Sequence, residues 1–200
     1  MYRAPIDDLR FVLEQLLDTG QLAHLPRYRE FSIELAAAVL TEADNFASGV
    51  LAPLNQQGDR EGASWTPQGV TAAPGFGAAY QQYVAAGWPQ LGIEAELGGQ
   101  GAPHALVSAV EEIWYGANMA LMLCPMLTRG AIEALLLVGS KQLRETYLPR
   151  MISGHWAGTM VLTEPQAGSD LAAIRTRAVP TGDHYLLSGQ KILSVTAITI

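Results

Sequence analysis

The chain has 200 residues, 49% hydrophobic and 16% charged, a balance that builds a packed core and excludes a chain disordered by composition. A formal net charge of -7 argues against nucleic acid as a general partner, yet leaves room for a local anion site made of backbone N–H groups. The single cysteine, Cys124, excludes an internal disulfide, and its apolar context "ALMLCPMLT" predicts a buried, inert thiol.

In chain order, Ile6, Leu9, Phe11, Leu13, Leu16 and Leu17 are spaced for one broad apolar helix face, with Asp7 and Asp8 suited to its N-terminus. This opening lacks the apolar core and cleavage site of a secretory signal. No stretch reads as long and apolar enough to cross a bilayer, so no transmembrane segment is expected and the expected location is cytoplasmic. "DTGQL" ends the first helix and "LPRYREF" connects it to a second, which runs from Ser32, the predicted N-cap, to about Leu51. The Gly- and Pro-rich stretch 52–75 reads as a surface loop. "FGAAYQQYVAAGW" predicts a helix burying Phe76, Tyr80, Tyr83 and Val84, and "LGGQGAPH" reads as an inter-helix turn, since neither a Walker lysine nor a preceding strand accompanies it. Two apolar helices are expected next, "HALVSAVEEIWYGANMALMLCPML" and the segment from Arg129, the latter interrupted at Gly139 and Ser140 before a short helix with a basic end. Adjacent Glu111 and Glu112 read as a solvated edge rather than an acid–base pair. His24, His104, His155 and His184 are scattered without metal-ligand spacing, so no metal site is expected.

At "HWAGTMVLTEP" helical spacing stops. "TRAVPTGDHYLLSGQKIL" alternates around a Thr-Gly-Asp turn, a hairpin signal. The chain therefore predicts a helical domain to about Gly154 followed by two or three strands. That is too few to close a barrel or cover a sheet.

The stretch "LTEPQAGSD" carries the strongest chemical signal. Glu-Pro forbids helix continuation, and Ala-Gly-Ser lets the backbone turn N–H groups to one side beside the Ser169 hydroxyl. Thr163 offers both a donor and an acceptor. The residues by themselves leave two readings open: a polar ligand contact, or a domain-linking turn with a Ser-Asp cap.

"MVLTEPQAGSDLAAIRTRAV" followed by "GDHYLLSGQKI" closely resembles the signature of the acyl-CoA dehydrogenase family. Order, spacing and the preceding helices all agree, across nearly the whole chain. The opening "MYRAPIDDLRFVLEQLLD", with "LAPLNQQGDREG" and "GWPQLGIEAELGGQG", resembles a subgroup carrying an N-terminal extension. The resemblance implies a mainly α chain: an extension at 1–33, the family's N-terminal helical domain at 34–156, and at 157–200 the first strands of an incomplete middle β-barrel domain. It implies FAD as cofactor and an acyl-CoA substrate. An electron-transfer flavoprotein is implied as the partner that reoxidises the flavin, and a homo-oligomer as the state of the complete enzyme. Residue by residue, Met160, Val161, Leu162 and Thr163 match the segment lining the flavin, with Thr163 on the ring's polar edge. Gly168 and Ser169 match the turn near the cofactor, with Ser169 also a substrate contact. The family's catalytic carboxylate belongs to the C-terminal domain, so no residue here is assigned as the base. Neighbouring readings are an acyl-CoA oxidase on the same fold, a non-catalytic helical interaction module, and a product without function.

The tail departs from the pattern. The family continues Gly-x-Lys-Ile with an aromatic, Ile, then Thr or Ser; here Leu193, Ser194 and Val195 follow. A single-nucleotide shift accounts for this. Removing the last C of TTC from ATC-TTC-ATC-AGT-TAC-GGC-GAT-CAC-GAT-C, which encodes the subgroup's pattern, leaves ATC-TTA-TCA-GTT-ACG-GCG-ATC-ACG-ATC, which encodes residues 192–200 as they stand. The expectation is a truncated, frame-shifted chain that binds FAD weakly or not at all.

Overall fold

The structure, a computed structural model, describes residues 2–192; the expected frame shift at 193–200 lies outside them. Helix α1 (Ile6–Phe11) runs into a π-helical turn at Val12–Leu16. That wider turn rotates the following residues off the expected stripe. Leu9 and Leu13 are buried, whereas Phe11, Leu16 and Leu17 face solvent. Short 3-10 turns at Thr19–His24 and Pro26–Tyr28 lead to α2 (Ile33–Phe46). Ser32 caps α2 as predicted, its hydroxyl accepting from the Leu35 N–H at 3.1 Å. The N-terminal segment is tied to the helices by Tyr2, whose hydroxyl donates to the Ile113 carbonyl at 2.6 Å, and by the Ala4 N–H, which donates to Asp44 Oδ1 at 3.0 Å.

The predicted loop at 52–75 is in large part ordered. A second π turn, Ala47–Leu51, passes directly into α3 (Ala52–Glu61), and a small antiparallel hairpin follows, β1 (Ser64–Thr66) with β2 (Gly69–Thr71). Pro53 does not break the run because it sits in the first turn of α3, where a missing N–H costs little. In α4 (Phe76–Ala85) Tyr83 is buried, while Phe76, Tyr80 and Val84 are half-buried against the same core.

Helix α5 (His104–Val138) is assigned as one element of 35 residues but holds non-helical backbone at Asn118, φ -160° and ψ 85°. An unbroken helix would separate Glu111 from Arg129 by about 27 Å along its axis. Their side chains instead form an ion pair at 2.6 Å, so the two halves, 104–117 and 119–138, fold back on each other. Asn118 is the hinge. Its Oδ1 accepts from the Leu121 N–H at 3.1 Å, capping the second half, and its Nδ2 donates to the Leu51 carbonyl at 3.1 Å. The expectation that no stretch suffices for a membrane span is corrected here. On length and hydropathy α5 passes, with a window averaging 1.7. As folded it is a hairpin bearing a charged pair between its halves, and it supplies much of the core: Leu106, Val110, Ile113, Trp114, Leu121 and Met122 are all buried.

The main core gathers α1, α2, α4 and α5 around Leu40, Leu51, Val110 and Ile113, with Trp114 meeting the rings of Phe46, Tyr83 and Trp88 edge-on. A smaller cluster joins Ile93 and Ile132 to Leu148, Met151 and Ile152 of α6 (Lys141–Ile152), whose N-cap is Ser140. The last elements, β3 (Arg177–Thr181) and β4 (His184–Ser188), pair antiparallel from Arg177↔Ser188 to Thr181↔His184. Their two-residue turn places Gly182 at φ 63°, a conformation open to glycine. Every residue of this hairpin is exposed, as two strands without a covering layer must be.

Candidate functional site

The segment 157–170 leaves the helical domain at a close contact. The Gly158 N–H donates to the Thr128 hydroxyl at 3.0 Å, and that hydroxyl donates to the Cys124 carbonyl at 2.8 Å. A Cβ on Gly158 would stand 2.6 Å from Ala131 Cβ and 3.2 Å from Thr128 Cα, so only glycine lets the chain lie this near α5. Cys124 beneath it is buried, and burial pushes its thiol pKa up, in line with an inert role.

Beyond Gly158 the chain forms a short extended wall. Met160 and Val161 are about half exposed, at 48% and 43%. Leu162 and Thr163 are half-buried. Their carbonyls are tied to the chain after β4: Leu162 accepts from Lys191 Nζ at 2.8 Å and Thr163 from the Ile192 N–H at 3.1 Å. Glu164 and Ala167 then close a tight turn, Glu164 N–H to Ala167 carbonyl at 3.1 Å and Ala167 N–H to Glu164 carbonyl at 3.0 Å. One N–H of the Ala-Gly-Ser run is thus spent inside the turn, which narrows the expected cradle. Gly168 and Ser169 are exposed past it, with open space around Gly168.

Sequence reasoning treated Glu164 only as the residue that stops a helix before Pro165. In the fold it is 2% exposed and its carboxylate has four partners. Oε2 accepts from the Arg175 N–H at 2.8 Å and from Gln166 Nε2 at 2.7 Å. Oε1 accepts from the Thr176 N–H and from Lys191 Nζ, both at 2.9 Å. Thr176, the Arg175 N–H and the Lys191 ammonium hold this carboxyl well below the usual carboxylate range. The signal that could have found it was Lys191 in the Gly-x-Lys pattern, a cation just past a hairpin whose one acid, Asp183, sits at the far turn.

The solvated-edge reading of the two glutamates holds for one of them. Glu112 is exposed, but Glu111 turns inward against Arg129, and its burial outweighs the guanidinium and raises its pKa. Glu111 and Arg129 line a cleft of about 620 Å³ between α4, α5 and α6, with Tyr80, Tyr83, Trp88 and Trp114. Burial there lifts the Tyr80 phenol to about 12. None of residues 160–169 borders this cleft, so the cleft and the wall are separate places.

The acyl-CoA dehydrogenase N-terminal domain profile matches residues 34–155. The 3-methylmercaptopropionyl-CoA dehydrogenase of Ruegeria pomeroyi is 44% identical over 192 residues, covering 96% of this chain and 33% of that protein. A butyryl-CoA dehydrogenase of Syntrophomonas wolfei is 31% identical over 197 residues, covering 95% of this chain and 32% of its own length. Among solved structures, a glutaryl-coenzyme A dehydrogenase in complex with glutaryl-CoA is similar with a TM-score of 0.69 at 27% identity, over 82% of this chain and 40% of that one. The chain thus spans about a third of the length of the curated relatives it matches. With a mostly helical fold that matches solved relatives and a family profile over more than half its length, the chain belongs to the acyl-CoA dehydrogenase family.

Proposed function

We propose that this chain is the N-terminal part of a FAD-dependent acyl-CoA dehydrogenase, incomplete and inactive by itself, whose residues 160–169 form one wall of the flavin and acyl-CoA site. The observation that carries the reading is the wall itself: apolar Met160 and Val161 half exposed beside Thr163, above an anchored Glu164. FAD, when bound, supplies the hydride acceptor for α,β-dehydrogenation of an acyl-CoA thioester. This chain's residues bind and orient. Met160 and Val161 pack on the ring, Leu162 and Thr163 run along its edge with the Thr163 hydroxyl as hydrogen-bonding group, and Gly168 and Ser169 lie toward the cofactor and thioester. No residue of this chain is assigned as the base that removes the α-proton.

The donor set fits the cofactor on one side only, since 160–169 offers a single face. The division into an extension at 1–33, a helical domain at 34–156 and an incomplete β domain from 157 belongs to the same proposal. So do an electron-transfer flavoprotein as electron acceptor, a homo-oligomer for the complete enzyme, and a cytoplasmic location. The acyl group of the substrate is left unassigned.

The test is direct. The purified 200-residue chain should carry no stoichiometric flavin and give no acyl-CoA-dependent dye reduction. FAD added at millimolar concentration should shift amide resonances at 160–163 and 168–169. Stoichiometric flavin absorbance with turnover overturns the incomplete-fragment reading, and unshifted wall amides overturn the flavin wall. Coding DNA read past Lys191 tests the frame shift: it is refuted if removing the single-base change restores no family pattern.

A further inference from the structure

Glu164 lies outside both apolar clusters and yet is as buried as their members. A carboxylate so placed must be fully hydrogen-bonded, and this one is, with partners from three separate stretches of chain. Gln166 belongs to its own turn, Arg175 and Thr176 to the entrance of β3, and Lys191 to the segment leaving β4. Lys191 divides its ammonium between the carboxylate and the Leu162 carbonyl. Gln166 also donates to the Ala173 carbonyl at 3.1 Å, so the turn is fastened to the 3-10 turn before β3 as well. Together these contacts leave 162–167 no freedom to rotate against the hairpin. The backbone orientation of the wall is therefore set by a charge rather than by apolar packing.

We propose that Glu164 is the positioning residue of the 160–169 wall, and that the Glu164–Lys191 pair sets the direction in which Thr163 and Ser169 are presented to a flavin and acyl-CoA ligand. The ligand half of this statement rests on the function proposed above; the positioning half does not. All four partners of the carboxylate are donors, so the site needs a group that only accepts. An amide at the same position turns an NH2 group toward donors and removes the counter-charge of Lys191. An aspartate is one methylene too short to reach both β3 and Lys191. The depressed pKa agrees with this geometry.

Glu164→Gln, Lys191→Met and the double variant separate the possibilities, read by amide hydrogen exchange and two-dimensional NMR on the 200-residue chain. Glu164→Gln should speed exchange at the Arg175 and Thr176 amides by at least about tenfold, the loss of a charge-assisted hydrogen bond. It should also move the resonances of 160–169 and leave those of α2 and α5 in place. Adding Lys191→Met to Glu164→Gln should change less than Lys191→Met does alone. With FAD added, wall shifts seen in the parent chain should weaken at least about fivefold in Glu164→Gln, while urea unfolding of the helices is unchanged. Unaltered exchange in Glu164→Gln, or a folded Glu164→Gln whose wall responds to FAD as the parent does, overturns the proposal. Changed exchange in a chain whose wall never responds to FAD upholds Glu164 as the anchor of the wall and removes the flavin reading alone.

Discussion

Replacing Asn118 by alanine tests the device that folds α5 back on itself. Asn118 is 1% exposed and makes two hydrogen bonds to backbone, one as cap to Leu121 and one to Leu51 at the close of a π turn. Loss of an N-cap costs about 0.5–2 kcal/mol, and the buried Leu121 N–H puts this case toward the upper end. Loss of the second hydrogen bond adds roughly 0.5–1.5 kcal/mol. Asn118→Ala should therefore destabilise the chain by about 2–3 kcal/mol, measured by urea denaturation followed by far-UV circular dichroism. Asn118→Asp keeps the cap acceptor, loses the donor and places a charge in a dry site. It should be at least as destabilising at neutral pH and recover as the pH is lowered. An Asn118→Ala chain within about 0.5 kcal/mol of the parent would refute the hinge argument, because ordinary surface substitutions fall in that range.

Leu40 is fully buried where α2 meets α5, so Leu40→Ala should cost about 2–5 kcal/mol in the same experiment. Glu164 titrates below its ordinary value of 4.5, so its contribution is present above that pH and lost as the pH falls through the depressed folded value. Exchange protection at Arg175 and Thr176 should then survive at pH 4.5 and fail only in stronger acid, whereas Glu164→Gln should show no such pH dependence. Cys124, buried and with its thiol pKa raised by burial, should react with a thiol reagent only after denaturant is added; rapid labelling of the native chain would contradict its placement. Tyr80 donates its hydroxyl to the Gly154 carbonyl at 3.0 Å, and its phenol should ionise near 12 in an alkaline ultraviolet titration, a late step shared with Tyr115 whose amplitude Tyr80→Phe should reduce.

Much of this chain was legible residue by residue. Ser32 as a cap, Cys124 as a buried thiol and the hairpin around Gly182 and Asp183 all follow from local chemistry, because caps, apolar runs and turn residues act over a few positions. The family could be named from the Thr-Glu-Pro-x-Ala-Gly-Ser-Asp segment because that segment is contiguous. Three readings failed where non-local geometry decides. A period of 3.6 residues cannot anticipate a π turn, so Leu16 and Leu17 were placed on the buried face of α1. The stretch 52–75 read as a loop on its Gly and Pro content, but Pro53 is tolerated in the first turn of α3, a place that depends on what precedes it. The span from His104 to Val138 was divided near its Arg129, but the break is at Asn118, whose role comes from its contact with Leu51, 67 positions away.

The sequence by itself determined most of the helical segments, the change from helix to strand past Gly154, and the contiguous segment that carries the family resemblance, because each rests on short-range patterns of polarity and backbone preference. Only the tertiary structure decided that Glu111 meets Arg129 across a hairpin and that the wall is fastened by Glu164 to Lys191. Those pairings join residues 18 and 27 positions apart, and a charge along a chain does not reveal its counter-charge until the backbone has brought the two together and burial has made separation costly.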